Sequence, residues 1–91
     1  MPRVECIAIE GLELWFNSND HLPPHFHAER TGEWEVRVYF LKQGGEMVRV
    51  KWPKNRRRWP SANELKPLLE AVENHRPQLL EEWQLKVSVG A

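Results

Sequence analysis

Three of the chain's four histidines fall within ten residues, Asp20-His21-Leu22-Pro23-Pro24-His25-Phe26-His27-Ala28-Glu29. Imidazole is the commonest nitrogen ligand of transition metals and the side chain best suited to proton transfer near neutrality. If His25-Phe26-His27 runs as a strand, both imidazoles project from one face and Phe26 from the other. Two ligands do not make a metal site. A divalent transition metal bound by His25 and His27 would need a third donor, for which Asp20, His21 and His75 are the candidates, with water completing the set. The competing reading is a rigid corner in which the histidines hydrogen-bond to carbonyls of the turn and to Asp20 or Glu29. Pro23 and Pro24 suit either, since both fix φ near −65° and make the approach to His25 stiff and extended.

A second group is basic. Residues 1–46 carry four basic and eight acidic side chains, 47–60 six and none, and 61–91 three and five, so a cationic island interrupts an otherwise acidic chain of zero net charge. Arg49, Lys51, Lys54, Arg56, Arg57 and Arg58 lie beside two flat rings, Trp52 and Trp59. Cations interleaved with aromatics can neutralise phosphates and stack on bases, which makes residues 49–59 a candidate nucleic-acid surface. The alternative is a solvated loop whose tryptophans enter the core while its arginines pair with acids of the helices. No nucleophile has a motif around it, so enzymatic chemistry is the less favoured expectation.

Ninety-one residues suffice for a single domain, residues 1–91, with one modest core. Nine aromatic side chains, five of them tryptophan, supply apolar area against 29% charged residues. A lone cysteine, Cys6, excludes an internal disulfide and suits a reducing, cytoplasmic setting. The N-terminus lacks the long apolar run that a signal peptide or membrane span requires, so no membrane partner is expected.

The elements that must position these groups can be read from periodicity. Residues 7–16 predict a first strand, with Leu12, Leu14 and Phe16 on one side and Gly11 marking a bulge or bend. Trp34, Val36, Val38 and Phe40 alternate with polar neighbours in a second half-buried strand, and Val48, Val50 and Trp52 in a third. A three-residue Gln43-Gly44-Gly45 loop keeps the apolar faces matched, pairing Val38 with Val50 and setting Arg37 opposite Lys51. Ser61-Ala62-Asn63-Glu64 is an S-x-x-E capping box that starts a helix at Ala62. Leu65, Leu68, Leu69 and Val72 share a face whose phase is resumed by Leu79, Leu80, Trp83 and Val87. Pro77 either begins a second helix or kinks the first. The fold expected is α+β: a small antiparallel sheet of three or four strands followed by one or two C-terminal helices on one face.

Phe16-Asn17-Ser18-Asn19-Asp20-His21-Leu22-Pro23-Pro24-His25-Phe26-His27, Glu64-Leu65 and Leu79-Leu80-Glu81-Glu82-Trp83 resemble a family of small bacterial proteins of unknown function. Its signature is an S-N-D-H-x-P-P-H-[VF]-H box followed by E-L and L-L-x-x-W in C-terminal helices. Members are often encoded beside another small protein in pairs resembling toxin–antitoxin modules. The resemblance implies an interaction or regulatory protein with a small protein partner, and assigns no role to His21, His25 or His27. Arg56-Arg57-Arg58 departs from the family's shorter, less basic junction. The expectation is therefore a component of a two-protein module, contacting nucleic acid through residues 49–59. The alternative is a metal-dependent hydrolase or nuclease built on Asp20, His21, His25 and His27.

Overall fold

The computed structural model of the chain describes residues 2–17, 23–41, 58–87 and the backbone of 49–51. Four strands, β1 (Glu13–Trp15), β2 (His25–Arg30), β3 (Trp34–Tyr39) and β4 (Arg49–Lys51), form an antiparallel sheet in the order β1-β2-β3-β4, and one helix, α1 (Ala62–Lys86), follows them. This is the expected α+β layout.

β2 and β3 are joined by the tight turn Thr31-Gly32-Glu33, in which Glu33 N–H donates to the Arg30 carbonyl at 2.9 Å. Gly32 takes φ 77° there, a left-handed conformation that a Cβ would disfavour. β3 and β4 pair as expected from the matched-face argument, with Val38 opposite Val50 and Arg37 opposite Lys51. A one-residue slip would have set apolar against polar positions, so the hydrophobic pattern selects the register. The same three-residue loop would continue the ladder by pairing Phe40 with Val48 and Lys42 with Glu46, and Lys42, Glu46 and Val48 lie outside the described residues.

The first strand is shorter than its periodicity suggests. Gly11, at φ 84°, turns the chain, and Leu12 N–H donates back to the Ile9 carbonyl at 3.1 Å, so regular pairing begins only at Glu13. The segment before this turn instead folds back along β1. Val4 N–H donates to the Leu14 carbonyl at 3.1 Å, Phe16 N–H to the Pro2 carbonyl at 2.8 Å, and Arg3 bridges to Trp15. Residues 2–4 thus cover an edge that would otherwise present unpaired backbone groups.

In α1 the capping box is complete: the Ser61 hydroxyl accepts from Glu64 N–H, and the Glu64 carboxylate accepts from Ser61 N–H. Leu68, Val72, Leu79 and Trp83 are buried against Leu14, Phe16, Phe26, Ala28, Trp34, Val36, Val38 and Phe40, the apolar side of the sheet. Each fully buried side chain of this kind contributes about 1.5–3 kcal/mol of transfer free energy. The helix is one element with a bend, since His75 alone departs from helical geometry, at φ −129°. Pro77 cannot donate to the carbonyl of Glu73 and crowds it, which forces the bend just before the ring. His75 Nδ1–H donates to the Ala71 carbonyl at 3.0 Å, and Arg76 Nε–H reaches the Phe40 carbonyl at 2.6 Å, pinning the bend to the sheet.

Candidate functional site

Residues opposite one another across an antiparallel sheet lie on the same face, so the register sorts every candidate side chain. Phe26 and Ala28 face α1. Their neighbours face the other way, in rows: Glu13–Glu29–Glu35, then Trp15–His27–Arg37, then His25–Tyr39. The side of the sheet away from α1, helix-free among the described residues, is therefore charged at one end and a contiguous set of rings beyond it. Trp15 stacks on His27 with centroids 5.3 Å apart and planes 16° from parallel. His25 stacks on Tyr39 at 4.7 Å and meets His27 edge-on at 5.3 Å. The Trp83 ring of α1 lies 5.7 Å from that of His25 at a tilt of 43°, tying the ring set to the helix.

Both histidines are 95% withdrawn from solvent, at 5% exposure each, and their nitrogens are held. His25 Nδ1–H donates to the Pro23 carbonyl at 2.9 Å, so the proline arm fixes that tautomer and aims the ring. The Asn17 amide donates to His27 Nε2 at 3.0 Å, which places the His27 proton on Nδ1, facing the Glu35 carboxylate at 4.0 Å. A turn carbonyl for one histidine was the structural expectation, and it holds. The described carboxylate beside His27 is Glu35, with Glu29 one row away; Asp20, the other expected partner, lies outside the described residues. Nothing in local spacing marks Asn17, Trp15, Tyr39 or Glu35 as members of this site; only strand pairing brings them to the box.

Among the described residues no three His, Cys, Asp or Glu side chains converge as a metal set. His75 does not join the pair, being engaged with its own helix at the bend. Asp20 and His21, the remaining candidates, lie outside the described residues.

The basic island divides. Backbone pairing sets Arg49 opposite Tyr39 and Lys51 opposite Arg37, so two of its positions belong to the same rows as the histidine box. Arg58 goes elsewhere. Its guanidinium donates to both Glu64 oxygens, at 2.8 and 2.9 Å, and to Glu33 at 2.8 Å. Glu64 also accepts from the Trp34 indole N–H at 2.9 Å, and Arg30 lies 3.5 Å away. Arg58, then the Ser61 backbone and Trp34, hold the Glu64 carboxyl far below the usual range, while Glu64 and Glu33 push the Arg58 guanidinium above its own. Arg58 thus behaves as the solvated-loop reading expects of an arginine, paired with an acid of the helix. Trp59 does not follow that reading, since it is 46% exposed rather than in the core. Lys54, Arg56 and Arg57, like Trp52, lie outside the described residues.

A family model for a domain of unknown function (DUF4160) matches residues 11–84, from the Gly11 turn to the last turns of α1. The chain belongs to this family. Neither the curated proteins nor the solved structures yield a match. Among the described residues no helix is long and apolar enough to cross a membrane.

Proposed function

We propose that this is a small interaction or regulatory protein, one member of a two-protein module of the toxin–antitoxin kind, which meets a protein partner through the helix-free face of its sheet. The observation that supports this reading is the composition of that face: Trp15 and Tyr39 half-buried over two buried histidines, with Arg37 and Glu13 exposed beside them. A sheet covered on one side normally turns polar alternation to water on the other, whereas rings backed by a fixed histidine layer are the material of interfaces. Nucleic acid is the subsidiary partner. Arg49 and Lys51 enter the same rows by register, but the Glu13–Glu29–Glu35 row repels phosphate at the other end.

Co-expression with the product of the adjoining gene, followed by size-exclusion chromatography, tests the module. A stable complex is expected, and it should be lost in Trp15→Ala/Tyr39→Ala while the fold persists by circular dichroism. An intact complex in that variant, or none in the wild type, would defeat the reading. Titrating labelled single-stranded and duplex oligonucleotides at two salt concentrations tests the subsidiary partner, because contacts to phosphate weaken steeply with salt.

A metal-dependent hydrolase or nuclease using Asp20, His21, His25 and His27 is the second reading, favoured by the adjacency of the two imidazoles at 5.3 Å. His27 Nε2 would have to exchange Asn17 for the metal. Elemental analysis of protein purified without a polyhistidine tag separates the two, since a stoichiometric metal would reverse their order.

A further inference from the structure

Resting on the protein-partner reading above, we infer that the partner is a basic segment that sets a lysine or arginine side chain between Glu13 and Glu29, against Trp15. Glu13 and Glu29 are directly opposite on β1 and β2, where two like charges oppose pairing. Among the described residues neither carboxylate has an ion pair. Glu35 extends the row on β3. Beside the two carboxylates the surface is hollowed into a cavity of about 230 Å³ lined by Arg3, Glu13, Leu14, Trp15 and Glu29.

The lining selects a cation. Two carboxylates against the single guanidinium of Arg3 leave the hollow net negative, and the indole of Trp15 offers a ring to which an ammonium or guanidinium is attracted. A duplex or single strand of nucleic acid would bring phosphate to the same acids and be repelled. The rest of the face suits a protein chain: beyond the acid row the half-buried rings of Trp15 and Tyr39, stacked on the buried His27 and His25, offer apolar contact for neighbouring residues of the same segment. The carboxylate pair, unfavourable in the free protein, is then a feature whose repulsion the partner's cation relieves on docking.

The test uses the full chain labelled with nitrogen-15 and three short threonine- and valine-rich peptides that differ only in a central lysine, glutamine or glutamate. The lysine peptide should shift the Trp15 indole N–H and the amides of Glu13 and Glu29, with the glutamine peptide weaker and the glutamate peptide inert. Glu13→Gln/Glu29→Gln should weaken the lysine peptide about tenfold or more, while its unperturbed spectrum elsewhere reports an intact fold. Equal shifts from all three peptides, shifts confined to another surface, or none at millimolar lysine peptide would overturn the inference. So would the same resonances moving with an oligonucleotide, or with protein concentration alone, which would name nucleic acid or a second copy as the occupant. A complex with the adjoining gene product that needs Trp15 and Tyr39 but ignores Glu13→Gln/Glu29→Gln would sink this inference and leave the proposed module standing. Lysine-peptide binding without any such complex would count against the module alone.

Discussion

Glu82, near the end of α1, fastens the N-terminal segment to the helix, and replacing it should unfasten one edge of the ring-bearing face. Its carboxylate accepts from the Glu5 and Cys6 backbone N–H groups, at 2.8 Å each, and from Lys86 Nζ at 2.8 Å. Lys86 in turn donates to the Arg3 carbonyl at 2.9 Å, next to the bridge between Arg3 and Trp15. Burial alone would raise the Glu82 carboxyl, but bonds from Cys6, Lys86 and the two backbone N–H groups outweigh it and bring it down to about 2. Because the folded value lies below the unfolded one, the stabilisation is full above the ordinary carboxylate range and disappears as pH falls towards 2. The depression from 4.5 to about 2 corresponds to about 3 kcal/mol by linkage, which solvent access to the carboxylate reduces to about 1–2 kcal/mol. Glu82→Gln should therefore lower Tm by about 5–15 °C at neutral pH. Near-ultraviolet circular dichroism melts at pH 7, 4 and 2 should show the two curves converging as the wild-type carboxylate protonates. Glu81→Gln, one residue away on the exposed side, should match wild type throughout. A gap between Glu82→Gln and wild type that is the same at pH 7 and pH 2, or an equal loss in Glu81→Gln, would refute the reasoning.

The same carboxylate governs Cys6, whose thiol is pushed up to about 12 by burial and then by Glu82. Its alkylation at pH 8 should be slow in the wild type and faster in Glu82→Gln, measured by iodoacetamide incorporation. Arg58→Ala should lower Tm by freeing Glu64 and Glu33, yet leave the salt slope of any oligonucleotide binding unchanged, since this guanidinium is already committed within the protein. His25→Ala should cost about 2–3 kcal/mol in urea unfolding through loss of a buried stacked ring, with a chelator leaving the wild type unmoved; a chelator that mimics the substitution would favour the metal reading. Glu13→Gln/Glu29→Gln should raise Tm slightly by removing a like-charge pair, and a fall would show that the two acids support the fold rather than await a cation.

Local chemistry determined much of this protein before any tertiary contact was known. Ser61 and Glu64 announce the helix start because a capping box needs only residues three apart. The pairing of Val38 with Val50 follows from a period of two and the penalty for facing apolar against polar positions. The resemblance carried by the histidine box likewise needs only the order of residues. The return of residues 2–4 along β1 was not legible, because Arg3-Val4 has no periodicity of its own and the segment is held at Arg3 by Lys86 and at Glu5 and Cys6 by Glu82, more than seventy residues away. Nor was the setting of the histidines. Whether His27 meets Glu29 or Glu35, and whether its neighbours are Trp15 and Asn17 or residues of its own turn, depends on which strands lie side by side. Pairing across strands turns residues eight or more apart in sequence into neighbours 3–5 Å apart in space. The division of the basic island has the same cause: Arg49 and Lys51 go where β4 pairs, whereas Arg58 is drawn to a helix-cap carboxylate and a turn carboxylate that only the packed sheet and helix bring together.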